Sequence, residues 1–268
     1  MLKSEVFPYY RQCCNELERV YDLFKQRFDI ESVDILCDIR GYVKDSSQYN
    51  FLVDNQICCC DFEDTKELGD LRLELGLVSN KDNFILANRF IVPITDISGK
   101  LAAFVGYYPD YKKYITTPSP FFSKEEMFFN FHDAYELSWK EYSGFVIVVE
   151  GIFDCLSLKS IGLPVVATMG ATVSKAKGEL LRMFNKVLAI PDDDDTGRKA
   201  LNRYSRRGWQ VPSNTTFLKF DGGYMDFNGT KLHCKDMDNF VSWYEESDVR
   251  EILLSYRDSR EDIEELHL

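Results

Sequence analysis

Two groups of carboxylate residues follow hydrophobic stretches that are typical of buried β-strands. Glu150 directly follows the stretch Phe145–Val149, and Asp154 lies four residues further on, one turn into the helix expected next. Four consecutive aspartates at 192–195 follow a second such stretch, which ends at Ile190. Neighbouring carboxylates repel one another unless a cation or a proton neutralises them, and clustered hard oxygen donors suit Mg²⁺ or Mn²⁺. The pattern therefore predicts a divalent metal site.

The four aspartates also have a simpler interpretation, in which a solvated loop caps the helix expected to begin near Gly197. A cap needs only one acid, however. Asp192 and Asp194 are alternate residues that leave a buried strand opposite Glu150, so a bound cation is the favoured interpretation. A third acidic segment at 235–239, Lys-Asp-Met-Asp-Asn, precedes an aromatic helix and by itself indicates only a helix start.

The elements that would position these acids alternate between strands and helices beyond residue 140. Strands are expected at 145–149, 163–167, 187–190 and 215–220, and helices at 152–162, 174–184 and 197–207. Continuous apolar strands separated by helices favour an α/β fold, in which helices cover both faces of a parallel sheet. Open sheets of this kind place their sites beyond the carboxyl ends of the strands, which is where the acids occur.

The first half of the chain contains predicted helices and strands but few residues in patterns typical of an active site. Apolar residues at helical spacing predict an amphipathic helix over 8–28, and the short segments 50–53 and 56–60 resemble strands. The stretches 84–94 and 101–106, separated by a turn, predict a β-hairpin. The first 70 residues contain no recognisable catalytic motif.

The composition is that of a globular chain of 268 residues with a net charge of −12, which disfavours indiscriminate electrostatic binding to DNA or RNA. No apolar run approaches the roughly 20 residues of a membrane helix, and no signal peptide is recognisable, so a cytoplasmic protein without a membrane partner is expected. The eight cysteines form no C-x-x-C pair and are accompanied by three histidines, so zinc is not expected.

One stretch of the chain is basic. Residues 171–210 carry a net charge of +4, against −16 for the rest. This stretch is either a local contact surface for a nucleic acid or a solvated helix face that balances the neighbouring aspartates. Its basic helix residues are Lys175, Lys177, Arg182, Arg198, Lys199, Arg203, Arg206 and Arg207.

The ordered set of acidic motifs resembles the Toprim domain. The Toprim pattern is a glutamate after a hydrophobic strand, matched by Glu150, and an Asp-x-Asp after a later strand, matched by Asp192 and Asp194. Residues 168–171, Thr-Met-Gly-Ala, lie where the family has a glycine-containing loop. The resemblance implies a Rossmann-like parallel sheet preceded by an α+β basic subdomain.

Within the Toprim proteins, the chain is similar to the catalytic core of bacterial and phage DnaG-type primases. Lys235 and Asp236 match a Lys-Asp motif of that family, and residues 88–124 are similar to its basic subdomain. At 105–107 the sequence Val-Gly-Tyr departs from the family's Gly-Gly-Arg, which removes an expected cation. The resemblance implies that the nucleotide or template contacts are Arg89, Lys113, Lys124, Lys235 and Arg198.

The resemblance implies synthesis of short RNA primers on single-stranded DNA from NTPs by metal-ion phosphoryl transfer. A metal held by Asp192, Asp194 and Asp236 would bind the phosphates of the incoming nucleotide, and Glu150 would act as general base or second metal ligand. The expected catalytic residues are Glu150, Asp192 and Asp194. The expected ligands of Mg²⁺ or Mn²⁺ are Glu150, Asp154, Asp192, Asp194, Asp236 and Asp238.

The expected organisation is an N-terminal α+β subdomain over 1–140, a Toprim domain over 141–245, and a C-terminal helix with an acidic tail over 246–268. The template-contacting part of the first subdomain is placed at about 84–130. DnaG-type primases usually add zinc-binding and helicase-binding modules, which this sequence does not show. We therefore expect a stand-alone or split core, such as a phage encodes, that depends on a replicative helicase or a separate zinc-bearing subunit.

Two other functions are compatible with the same residues. Toprim carboxylates also serve metal-dependent nucleases, although the segment with Lys113 and Lys124 argues against a nuclease here. A non-catalytic replication-associated subunit could retain the metal-binding fold, and both the overall acidity and the departure at Tyr107 are compatible with that function.

Overall fold

Two separate sheets organise the two halves of the structure, which is a computed structural model. It describes residues 90–108, 113–192, 210–218, 224–227, 230–233 and 236–258. These residues fall into two units, and the boundary between them in the sequence lies between Ser123 and Lys124. The elements expected at 8–28, 50–60, 84–86 and 197–207 lie outside the described residues.

The first unit contains an antiparallel sheet in the order β1-β2-β3, formed by β1 (Phe90–Thr95), β2 (Leu101–Tyr108) and β3 (Lys113–Thr116). The predicted hairpin of β1 and β2 is confirmed. Its turn is closed by Asp96, whose Oδ1 accepts hydrogen bonds from the backbone N–H groups of Ser98 and Lys100 at 2.9 and 3.0 Å.

The second unit contains a parallel sheet in the order β5-β4-β6-β7, formed by β4 (Phe145–Val149), β5 (Val165–Ala167), β6 (Lys186–Ile190) and β7 (Thr215–Phe217). In this sheet Val149 pairs with Ala167 on one side and with Ile190 on the other. The carboxyl ends of the three strands therefore lie at one edge, and the predicted α/β fold is confirmed.

Helices cover both faces of the parallel sheet, because residues of both faces are apolar. The helices between the strands are α1 (Phe131–Glu141), α2 (Ile152–Ser160) and α3 (Lys175–Leu181). Phe131 of α1 and Leu181 of α3 pack on the face that carries Val146 and Val148. On the opposite face α2 contacts β4 and β5. Helix α1 was not expected from the sequence. It packs on the parallel sheet although nearly all of it precedes the expected boundary at residue 140. The expected domain division stays a prediction.

The end of the described chain adds an antiparallel hairpin of β8 (Tyr224–Phe227) and β9 (Thr230–His233), then α4 (Met237–Trp243) and α5 (Glu246–Asp258). Helix α4 packs on α2, and α5 buries Val249 and Leu253. Arg250 of α5 donates a hydrogen bond to the hydroxyl of Tyr142 at 3.0 Å. Within the described ranges, no helix has the length and apolar character needed to cross a membrane.

Helix α3 packs closely against the backbone at Gln210. Gly178 faces the backbone carbonyl of Gln210, and a Cβ at residue 178 would overlap that oxygen. We expect Gly178→Ala to lower the free energy of unfolding by about 2 kcal/mol, because overpacking outweighs the better helix propensity of alanine. Thermal unfolding followed by circular dichroism measures the loss. The control is Glu179→Ala at the next, exposed residue, which should change stability by no more than about 0.5 kcal/mol; equal losses in both variants would contradict the prediction.

Candidate active site

Glu150 and Asp192 leave the ends of two neighbouring strands. Glu150 directly follows β4, and Asp192 follows β6 after Pro191. Because Val149 and Ile190 are paired across β4 and β6, the two acids emerge side by side from the same edge of the sheet. Glu150 is only 8% exposed, whereas Asp192 is partly exposed.

Asp154 brings a second buried carboxylate to this edge from the first turn of α2. Its Oδ1 accepts a hydrogen bond from the backbone N–H of Asp238 at 2.9 Å. Its Oδ2 lies over the Cα of Gly151, in the space that a Cβ at that position would fill. Burial, and then the charge of Asp192, raise the pKa of Asp154 from 3.8 to about 8; Asp236 and Asp238 add to the rise. Four carboxylates therefore share one electrostatic environment.

Asp236 and Asp238 lie at the start of α4, and each has a defined structural partner. Asp236 is the N-cap residue of α4, and its side chain accepts a hydrogen bond from the N–H of Asn239 at 2.8 Å. Asp238 accepts a hydrogen bond from the hydroxyl of Ser157 at 3.0 Å. These bonds fix the start of α4 against α2 and so hold the acidic segment beside Asp154.

The loop after β5 completes this edge of the sheet. Its first residue, Thr168, donates a backbone hydrogen bond to Val149 at 2.9 Å, and Met169 donates one to the carbonyl of Glu150 at 3.0 Å. Met169 has φ +58°, which turns the chain sharply. The side chain of Lys124 crosses this loop at Gly170. The glycine-containing loop expected from the sequence therefore contacts the backbone of the catalytic candidate Glu150.

The carboxylates fit a hard divalent cation in charge and in donor chemistry. Burial first, and then repulsion from Asp192, raise the pKa of Asp154, and a cation bound beside these two carboxylates would favour the charged form of Asp154. Oxygen donors are the ligands that Mg²⁺ prefers. Within the described ranges, no three His, Cys, Asp or Glu side chains already form a metal cluster. The expected ligand Asp194 lies outside those ranges, so the ligand set stays a prediction.

The remaining expected site residues are only partly described. Arg89, Arg198 and Lys235 lie outside the described residues, and Lys113 is described only as a backbone position in β3, paired with Tyr108. Lys124 is exposed. Their expected contacts with nucleotide or template stay predictions.

Two residues near the acids have roles that the sequence did not indicate. Ser157 bonds to Asp238, but the two are 81 positions apart and no local pattern connects them. Lys177 was grouped with a contact surface or solvated face of basic helices. This grouping was wrong for Lys177, which is 2% exposed and donates a hydrogen bond to the carbonyl of Thr168.

Comparison with known sequences finds similarity in the region that contains these acids. A family described as Toprim-like matches residues 147–230, which extend from within β4 to the start of β9 and include the acids at 150, 154 and 192. The DNA primase of Aquifex aeolicus is 38% identical over 123 residues, which cover 44% of this chain and 24% of that protein. The DNA primase of Clostridium acetobutylicum is 27% identical over 186 residues, which cover 63% of this chain and 30% of that protein. The chain thus matches about a quarter to a third of the length of these relatives.

Solved structures give the same result for the fold. A DNA primase domain from Pseudomonas aeruginosa is 26% identical with a TM-score of 0.56, over 71% of this chain and 59% of that chain. The zinc-binding and RNA polymerase domains of Aquifex aeolicus primase are 25% identical with a TM-score of 0.57, over 95% of this chain and 62% of that chain. Taken with the paired positions of Glu150 and Asp192, these matches show that residues 147–230 are similar to Toprim-like proteins and that the chain resembles the catalytic core of DnaG-type DNA primases.

Proposed function

We propose that the chain synthesises short RNA primers on single-stranded DNA by metal-dependent nucleotidyl transfer. One observation carries the proposal: Glu150 and Asp192 leave the paired ends of β4 and β6, and the charge of Asp192 acts on the buried Asp154. The matched relatives named DNA primase support the choice of reaction.

Each residue has a separate role that follows from its position. Asp192, Asp194 and Asp236 hold a metal, and Glu150 holds a second ion or accepts the proton of the attacking hydroxyl. A divalent cation held there would supply charge neutralisation at the phosphates and Lewis-acid activation of the attacking hydroxyl. Asp154 positions the acidic segment of α4 through the N–H of Asp238. A site built from carboxylates suits this reaction, because phosphoryl transfer depends mainly on alignment and charge stabilisation.

The proposed substrates are NTPs and a single-stranded DNA template, contacted by Arg89, Lys113, Lys124, Arg198 and Lys235. The proposed partners are a replicative helicase or a separate zinc-bearing subunit in the cytoplasm. The Aquifex aeolicus structure, which contains zinc-binding and RNA polymerase domains together, supports the second partner.

The test is incubation of the purified chain with single-stranded DNA, labelled NTPs and Mg²⁺ or Mn²⁺, with and without a replicative helicase. We expect short labelled RNA that disappears on chelation of the metal and in Asp192→Ala, because that variant loses the carboxylate at the end of β6. Persistence of the product in Asp192→Ala would exclude the proposed metal site.

The same assay separates the two other functions. Labelled DNA and RNA strands are included as possible substrates for cleavage. Metal-dependent cleavage without nucleotide incorporation would identify a nuclease instead. The absence of both activities, even with helicase and zinc-bearing partners added, would identify a non-catalytic subunit.

A further inference from the structure

Lys177 is a buried lysine to which the proposed reaction assigns no role. It lies in the first turn of α3 and is 2% exposed, so it is not available to contact a substrate. Its Nζ donates a hydrogen bond to the backbone carbonyl of Thr168 at 2.5 Å and lies 5.4 Å from the ring centre of Phe128. Among the described residues, the contacts of this ammonium group are therefore a carbonyl and an aromatic ring.

Three physical effects disfavour a charge at this position. Burial comes first, and the positive charge of Lys124 comes second; together they lower the pKa of Lys177 from 10.5 to about 8, although Glu125 acts in the opposite direction. The N-terminal turn of a helix is also unfavourable for a cation, and the first turn of α3 contains no acidic residue that would compensate. The protonated form still predominates at pH 7. A charge retained against these effects points to a function.

The start of α3 holds Lys177 in place. The hydroxyl of Ser174, the N-cap residue, accepts a hydrogen bond from the N–H of Lys177 at 3.2 Å and donates one to the carbonyl of Glu125. Gly178, the next residue in the chain, packs directly against the backbone carbonyl of Gln210. The backbone is thus fixed on both sides of Lys177, and its ammonium group is held at the loop after β5.

This loop connects Lys177 to the backbone of Glu150. The carbonyl of Thr168 accepts the hydrogen bond from Lys177, and the N–H of Met169 donates one to the carbonyl of Glu150 at 3.0 Å. Met169 has φ +58°, a left-handed conformation that is unfavourable for a residue with a side chain. The carbonyl of Thr168 and the N–H of Met169 belong to one planar peptide group. Lys177 therefore orients the peptide group that reaches Glu150.

The charge of Lys177 strengthens this chain of hydrogen bonds. A cation at the carbonyl oxygen polarises the peptide group and makes its N–H a better donor, and such polarisation is stronger in the low dielectric of a protein interior. A neutral amine would be a weaker donor to the same carbonyl. The buried charge can thus act on the backbone of Glu150 without contacting a substrate.

We infer that Lys177 is a positioning residue for Glu150, which it holds at the end of β4 through the peptide group between Thr168 and Met169. The inference rests on the proposed function, because it concerns the placement of the proposed catalytic residue Glu150. Since Lys177 contacts the backbone of the site and no ligand, its removal affects the rate of the chemical step rather than nucleotide binding.

Lys177→Met tests this role, because methionine is nearly as long as lysine but has neither the charge nor the N–H groups. In primer synthesis we expect kcat to fall about tenfold or more while the KM for NTPs stays within about threefold, since small displacements of a reacting group are costly. The melting temperature should change by about 3 °C or less, because an apolar side chain in place of a buried charge is often neutral for stability. The matched control is the exposed Lys140→Met in α1, which should retain kcat within about twofold.

Hydrogen exchange of the unmodified chain gives a readout that requires neither catalysis nor a substitution. Lys177 loses its proton as the pH rises through about 8, and residues 168–171 contain no titratable side chain. Between pH 7 and about pH 9 the N–H of Met169 should become about fivefold less protected, because its peptide group loses a charged partner. The N–H of Ile147, which donates to Pro164 at 2.9 Å, is the control and should keep its protection.

The same amide is followed in Lys177→Met, where it should be poorly protected at both pH values. Full activity of this variant, or a raised KM with unchanged kcat, would exclude the positioning role. Protection of the Met169 N–H that depends on neither pH nor the substitution would exclude it as well. If the variant does not fold, exchange in the unmodified chain decides alone. Loss of protection in a chain that makes no primer would retain the contact and contradict the proposed function.

Discussion

Replacement of Glu150 by Gln is expected to reduce incorporation of labelled nucleotides about a thousandfold, because it removes the charge of a buried acid that holds a metal or accepts a proton. The side chain keeps its shape and its place at the end of β4, so the variant should fold. The measurement is primer synthesis on single-stranded DNA with Mg²⁺. A second readout is the rise in melting temperature on addition of Mg²⁺, which should become smaller in the variant.

A matched control separates the loss of a site carboxylate from a general change in charge. Glu136→Gln on α1 removes an exposed acid that pairs with His132, and it should leave primer synthesis within about twofold of the unchanged chain. Glu150→Gln with activity within tenfold of the unchanged chain would contradict a catalytic role for Glu150.

Gly151→Ala is expected to lower primer synthesis about a hundredfold although it removes no charged group. Oδ2 of Asp154 occupies the space that the new Cβ needs, so the carboxylate must shift, and this shift strains its hydrogen bond from the N–H of Asp238. Gly151 has φ −87°, which alanine adopts freely, so the effect is steric rather than conformational. The loss of stability should be limited to about 1 kcal/mol for a changed N-cap residue plus local repacking.

Activity and thermal unfolding are measured together for this variant. Ser160→Ala at the exposed end of the same helix is the control and should retain activity within about twofold. A Gly151→Ala chain that folds and retains full activity would show that the position of Asp154 does not matter for the reaction.

The order of strands and acids was predictable because it follows from local patterns. Apolar runs predicted β4, β5 and β6. Because parallel strands end at the same edge of a sheet, these runs also predicted that Glu150 and Asp192 lie at one edge, without knowledge of any side-chain contact. Ser174 was likewise expected to begin a helix, and its side chain accepts the hydrogen bond from the N–H of Lys177. The polar caps of short helices are readable from sequence, because each involves residues two or three positions apart.

Other features depend on contacts between distant parts of the chain. The bond between Ser157 and Asp238 arises only when α2 and α4 pack together. Lys177 has the spacing of an exposed helix residue, and only packing against Phe128 and Thr168 buries it. The hairpin of β8 and β9 was missed although Asn228 and Gly229, a strong turn signal, lie between its strands.

Glu150 is carried by β4, the strand that hydrogen-bonds to β5 on one side and to β6 on the other. Displacing this acid requires breaking the hydrogen bonds of β4 to both neighbouring strands at once. Such a displacement therefore requires cooperative unfolding of the sheet rather than a local fluctuation. Backbone amides of β4 should accordingly be among the slowest to exchange with deuterium. Control of the reaction by other molecules would then act through access to this edge rather than through distortion of the strand that bears the acid.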